Sequence, residues 1–200
     1  MSWWRSAVSR GSYHDLALGS AIRTGSTPTV ARKSETKISH RHIDETFVRI
    51  AGRWLYLFRA VDGHGQTVDF YLSETRDREA AKCFLKKALA NPDNRAPSVL
   101  ARDGLRSYPA AIRELQGEGL MHRSCRHRTR PYANNRIESD HRSVKRRLRA
   151  MQGPRSTPTA RRLLQGIEAV HMIRKGQVLG ITRDNLLGHA WVFGALLGIR

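Results

Sequence analysis

Cysteine is scarce in this chain: Cys83 and Cys125 are the two in 200 residues. They are too few for a disulfide scaffold or a Cys-rich zinc site, and they point to a reducing compartment. Long apolar runs are missing too. The longest stretch without a charged residue, 185–199, has 15 residues, short of the roughly 17–25 that a membrane span requires. Arg5, Arg10, His14 and Asp15 interrupt the N-terminus, so no apolar core of a signal peptide is present. The expectation is a soluble, intracellular protein without a membrane partner. Acids are the third shortage: 17 against 36 lysines and arginines, a net charge of +19 and a pI near 11.3. Such an excess repels itself in a compact state unless a polyanion neutralises it, and nucleic acid is the default polyanion.

What is present divides the chain. Ser, Thr, Gly and Arg dominate residues 20–39 and no apolar period persists there, so residues 1–40 read as a poorly ordered arm with a short helix around 15–22. From residue 41 the pattern sharpens. Ile43, Phe47 and Ile50, then residues 54–61 (WLYLFRAV), then 67–72 (TVDFYL) are three strands joined by Gly-containing turns, an antiparallel meander. Ala81, Phe84, Leu85 and Ala88 repeat at helical spacing behind Asp77 and Glu79, which suit a helix N-terminus. Residues 98–101 (SVLA) make a short strand and 110–115 lie in a second helix. Helices follow over 135–151, from Thr157 as N-cap to Gly176, and over 186–197. The order is that of an α/β fold with a mixed sheet. Cys83 is expected in the core, and Trp54, Tyr56 and Phe58 are expected to pack on the sheet.

In so basic a chain an acid at a strand end calls for a reason. Asp44 lies in the first strand. Asp103 follows the short apolar strand and precedes Gly104. Glu138 opens a basic helix, with 34 residues between it and Asp103. Glu45 alternates to the other face of its strand, and Asp140 is rotated away from Glu138. Three converging carboxylates in a positive surface can hold one or two hard divalent cations against a phosphodiester. Residues 123–162 carry 13 lysines and arginines against two acids, which reads as a track for DNA. His40, His42, His122, His127, His141 and His171 fit no usual zinc ligand spacing.

These residues carry a resemblance. The run 43–48 (IDETFV) with 52–62 (GRWLYLFRAVD), the segment 102–104 (RDG) with 108–111 (YPAA), the segment 134–142 (NNRIESDHR), and 166–169 (GIEA) with 171–176 (HMIRKG) resemble the DDE catalytic domain of bacterial insertion-sequence transposases of family six. The resemblance covers 41–200. It implies a ribonuclease-H-like fold, with three antiparallel strands, then parallel strands, and flanking helices. It implies Asp44, Asp103 and Glu138 as catalytic metal ligands for two Mg²⁺ ions, with Mn²⁺ able to substitute. Lys145 stands seven residues after the Glu, as the family's basic residue does, and implies a DNA contact. Arg142, Arg146, Arg147, Arg149 and His141 are further candidate DNA contacts on the same helix.

The implied function is metal-dependent cleavage of transposon ends and strand transfer into target DNA, by a homodimer on double-stranded DNA in the bacterial cytoplasm at the nucleoid. Two departures stand out. Family members carry a helix-turn-helix ahead of the domain, and residues 1–40 do not read as one; Gly104 stands where the family usually has Lys. The alternative expectation is therefore an N-terminally truncated, catalytically silent DNA-binding remnant. A basic RNA-binding protein would explain the charge but not the carboxylate spacing.

Overall fold

The computed structural model describes residues 40–91, 94, 96–102, 107–129, 135–178 and 181–197. The expected arm and its short helix lie outside the described residues, and so does Asp103. Strands β1 (His40–Ile50), β2 (Arg53–Asp62) and β3 (Thr67–Ser73) precede helix α1 (Arg78–Ala90). Then come β4 (Val99–Arg102), α2 (Ser107–Gly117), β5 (Arg126–Thr129), α3 (Asn135–Ala150), α4 (Thr157–Arg174) and α5 (Leu186–Leu197). The sheet order is β3-β2-β1-β4-β5. The first three strands are antiparallel, and β4 and β5 run parallel to β1. This is the expected mixed sheet.

Local chemistry explains the elements. Ala51 and Gly52 both have positive φ, 48° and 80°, as a two-residue turn matched to strand twist requires. The Asp77 carboxylate caps α1 by accepting from the Ala80 N–H at 2.8 Å, which holds its pKa below the usual value. Helix α4 starts one residue earlier than expected: Ser156, not Thr157, is the N-cap, its Oγ accepting from the Thr159 N–H at 3.3 Å. At the far end of α4, Gly176 has φ +69°, and a Cβ there would sit 2.6 Å from the Arg183 nitrogen. Only glycine lets that backbone pass.

The sheet is covered on both sides. Alternation along β1 and β2 sends Ile43, Phe58 and Ala60 towards α1 and α2, where Phe84, Leu85, Tyr108, Ile112 and Leu115 complete one apolar cluster. It sends Val48, Ile50, Leu55 and Leu57 towards Val144 and Leu148 of α3 and Leu164 and Ile167 of α4. A bulge in β3 modifies this pattern. Ala60 pairs with Asp69 but Val61 pairs with Thr67, so Val68 is the extra residue and drops into the α1/α2 cluster. A bulge leaves backbone groups without ladder partners. Beside the bulge the Gln177 amide pairs with the strand backbone, accepting from the Thr67 N–H and donating to the Thr67 carbonyl, both at 2.9 Å.

Two expectations about packing change. Cys83 is exposed, and Cys125 is the buried cysteine: the inward arc of α1 is filled by Ala80, Ala81, Phe84, Leu85 and Ala88. Phe58 is fully buried, but Trp54 on the same face is 63% exposed, because the hairpin tip runs past the helices that cover that face. No helix among the described residues is long and apolar enough to cross a membrane.

Candidate functional site

Helix α3 presents three stripes, each set by the 3.6-residue turn. Ile137, His141, Val144 and Leu148 recur at i, i+4, i+7 and i+11 and are buried against the sheet. One position on, Glu138, Arg142, Lys145 and Arg149 repeat the same spacing and are exposed. The third stripe, Asp140, Ser143 and Arg147, turns towards α4. The first stripe anchors the helix, so the second is held rigidly beside β1.

Asp44 meets that second stripe. It lies on the α3-facing side of β1, level with Thr46, and is buried except towards a groove of about 580 Å³. Glu138, Arg142, Lys145, Arg146 and Arg149 line the same groove. His141 closes its floor, with Nδ1 3.6 Å from the Asp44 carboxylate. Burial first, then the nearby charges of Arg59 and Lys145, push the His141 pKa down to about 3. The ring is therefore neutral at neutral pH, and the separation is too long for a hydrogen bond. Asp44 thus keeps a neutral neighbour rather than a buried cation that would compete for its negative charge. Glu45, on the opposite side of β1, reaches the rim but is paired with Arg76.

Behind Asp44 stands a buried charge network that sequence reasoning missed. Arg59 is the cross-strand partner of Asp44 and is wholly buried. Its Nη2 donates to Glu168 at 2.8 Å and to Asp140 at 3.3 Å. Lys175 also pairs with Asp140 and donates to Thr67 Oγ1 at 3.3 Å. His171, beside Glu168, has its pKa pushed down to about 4, by burial and then by Arg147 and Arg59. An arginine has no acceptor, so Arg147 donates to the neutral His171 Nε2, which also meets Ser143 Oγ at 2.9 Å. The available signal was the pairing of an inward-facing Arg on β2 with an acid in the otherwise apolar face of α4.

Each expected site residue can be placed. Asp44, Glu138, His141, Arg142, Lys145, Arg146 and Arg149 share one groove. Arg147 does not: nine residues from Glu138 is about 180° around the helix, and its guanidinium is engaged with Ser143 and His171. Asp103 lies outside the described residues; β4 ends at Arg102, paired with Ile43, the residue before Asp44. Among the described residues no group of three or more His, Cys, Asp or Glu is arranged to hold a metal ion.

Comparison with known proteins agrees with this architecture. Residues 39–177 match a family described as a DDE domain. The chain is similar to the Staphylococcus aureus transposase for insertion sequence-like element IS431mec, at 35% identity over 133 residues, covering 66% of this chain and 57% of that protein. It is equally similar to the S. aureus transposase for insertion sequence element IS257 in transposon Tn4003, with the same identity and coverage. The chain therefore spans little more than half the length of these relatives. Among solved structures it resembles the HTLV-2 integrase catalytic core domain, determined in complex with magnesium, with a TM-score of 0.51 and 13% identity, covering 77% of this chain and 98% of that one. A second form of the same core gives the same TM-score over 76% and 95%. That likeness establishes the ribonuclease-H-like fold. With 139 of its residues matched to the domain, the chain belongs to the DDE family of insertion-sequence transposases, family six.

Proposed function

We propose that this domain cleaves and joins DNA phosphodiesters at the ends of an insertion sequence. The carrying observation is that Asp44 and Glu138 line one groove together with Arg142, Lys145, Arg146 and Arg149 of α3. In the first step water attacks a phosphorus, the P–O3′ bond breaks, and a 3′-hydroxyl and a 5′-phosphate result. In the second, that 3′-hydroxyl attacks a phosphorus of target DNA, forming one P–O bond as another breaks.

Asp44, Asp103 and Glu138 would hold Mg²⁺, or Mn²⁺ in its place. The donor chemistry fits, since carboxylate oxygens are the hard ligands such ions prefer and Asp44 and Glu138 open to a common solvent-filled groove. A divalent ion there supplies charge to the attacking and leaving oxygens. The chain's own residues do the rest. Arg142, Lys145 and Arg149 hold backbone phosphates along α3. His141 packs beside Asp44 as a neutral ring and so does not neutralise it. The buried Arg59 network fixes the strands on which Asp44 stands. The staphylococcal relatives are transposases by name, which supports DNA ends and target DNA as the substrates; two copies on paired ends would be the working unit.

The test is a strand-transfer assay with a pre-cleaved duplex end, a supercoiled plasmid and Mg²⁺ or Mn²⁺. Metal-dependent joining that Asp103→Asn and Glu138→Gln both abolish is the expected result. Joining unaffected by either substitution would remove these carboxylates from the mechanism. DNA binding with no joining would make the chain a silent remnant.

A further inference from the structure

The groove does not stop at the carboxylates. Around the β1–β2 hairpin and the turn after α3 it widens into a cavity of about 1240 Å³, sharing Lys145 and Arg149 with the carboxylate end. This exceeds the roughly 300–1,000 Å³ of small-molecule pockets, so it suits a stretch of polymer. One wall is aromatic. Phe47 and Trp54 are 46% and 63% exposed; Trp54 meets Phe47 edge-on at 6.5 Å, and Phe47 tilts against Tyr56 at 5.1 Å. Arg49 points to the same side of the hairpin as these rings, the side opposite Asp44, and Arg155 with the last turns of α3 completes the lining round the β1 edge. No acid is among the described residues that line it.

The sheet topology explains why the wall is open. Strand β4 pairs with β1 only from His40 to Ile43. Beyond that point β1 runs on to Ile50 with β2 as its one partner strand among the described residues. The aromatics therefore extend past the end of the covered sheet, where water meets their rings at a free-energy cost.

We propose that this aromatic and basic groove takes unpaired bases of the DNA strand that enters the carboxylate site. The inference rests on the DNA-joining reading above. Bases within a duplex bury their faces on one another, so only an unstacked base offers a ring to Trp54 and Phe47. Base-on-aromatic stacking is tolerant of sequence and is reinforced by neighbouring guanidinium groups. Arg49 and Arg155 then hold the phosphates on either side of the stacked base, and Lys145 and Arg149 pass the strand to Asp44 and Glu138. The charged side chains among the described lining residues, Arg49, Lys145, Arg149 and Arg155, are all cations, which suits a polyanion.

The test uses the full chain and fluorescein-labelled duplexes of one sequence, blunt or ending in a few unpaired nucleotides, read by anisotropy. The forked end should bind about tenfold more tightly than the blunt one. Trp54→Ala should remove that preference while leaving blunt-end affinity unchanged, and Trp54→Phe should keep most of it. Glu138→Gln, which removes joining, should retain the preference, so loss of chemistry and loss of stacking are separable. Equal binding of fork and blunt end by the wild type would overturn the proposal. So would an equal loss of both affinities in Trp54→Ala, or a change from dimer to monomer, which would assign the groove to a second copy. Failure of the folded wild type to bind either duplex would overturn the DNA reading and this inference with it.

Discussion

On one side of the sheet, α1 and α2 close over an apolar cluster built around Phe58, Phe84 and Ile112, and lysines 82, 86 and 87 pair with acids from partly exposed positions. On the other side, α3 and α4 close over a second apolar cluster, but beside it Asp44, Arg59, His141, Glu168 and His171 are all buried. The first arrangement is what stability alone favours. The second is costly, because each buried charge must be desolvated and then matched. Among the described residues Nε and Nη1 of Arg59 have no hydrogen-bond partner, so the match is incomplete. A charge network at that cost makes sense where it holds Asp44, directly opposite Arg59, in a fixed place. The α3/α4 side, which carries Asp44, is thus the working face, and the α1/α2 side, apart from the open rings of Phe47 and Trp54 at the hairpin tip, serves folding.

The contrast can be broken most strongly at the working face. Asp44→Asn should reduce strand transfer by about 10³-fold while leaving the circular dichroism spectrum and urea midpoint close to wild type. A matching loss of stability would assign Asp44 to folding instead. Next in size, Arg59→Leu should destabilise the protein by about 3–5 kcal/mol in urea, since Glu168 is left charged and unpaired in the interior. The double variant Arg59→Leu, Glu168→Leu should recover much of that stability yet remain impaired in joining. Phe84→Ala on the folding face should cost a similar 3–5 kcal/mol, but joining by the fraction still folded should be unchanged.

A smaller effect follows from His171, whose folded pKa lies near 4 against about 6.5 when unfolded. Below pH 6.5 the unfolded chain takes up a proton that the folded state refuses until about pH 4. Stability should therefore fall with acidification across that window, by about 1.4 kcal/mol per pH unit from this group. His171→Gln should show a shallower decline between pH 6 and pH 4 than the wild type. The smallest change belongs to Lys82→Ala. Glu114 and Glu118 raise its pKa, but this ion-pair cluster lies at the surface and is screened by salt, so the urea midpoint should hardly move.

Much of this was legible in residue order. The meander was visible because strands of period two are separated by Gly-containing turns, and α1 because Ala81, Phe84, Leu85 and Ala88 keep helical spacing. Asp44 and Glu138 stood out as acids in a basic chain with a family's spacing around them. Arg147 was grouped with its neighbours because a run of basic residues hides which of them share a helix face; the turn angle and the engagement with His171 separate it. Cys83 and Trp54 were misplaced for a related reason. Both residue types are usually buried, and only the positions of the covering helices reveal that these two lie beyond them. The bulge at Val68 left no mark that alternation could show, since its residues still read as a continuous strand.

The sequence by itself determined the order and type of the elements other than β5, the positive field and the carboxylate pair, because turns, periodicity and charge are local or additive properties. Tertiary structure alone decided which cations face Asp44, that His141 and His171 are neutral, that Arg59 is locked between Glu168 and Asp140, and that an aromatic wall stays open beside the site. Those outcomes depend on burial and on contacts between residues as far apart in the chain as Arg59 and Glu168. Desolvation acts only once the helices have closed over the sheet.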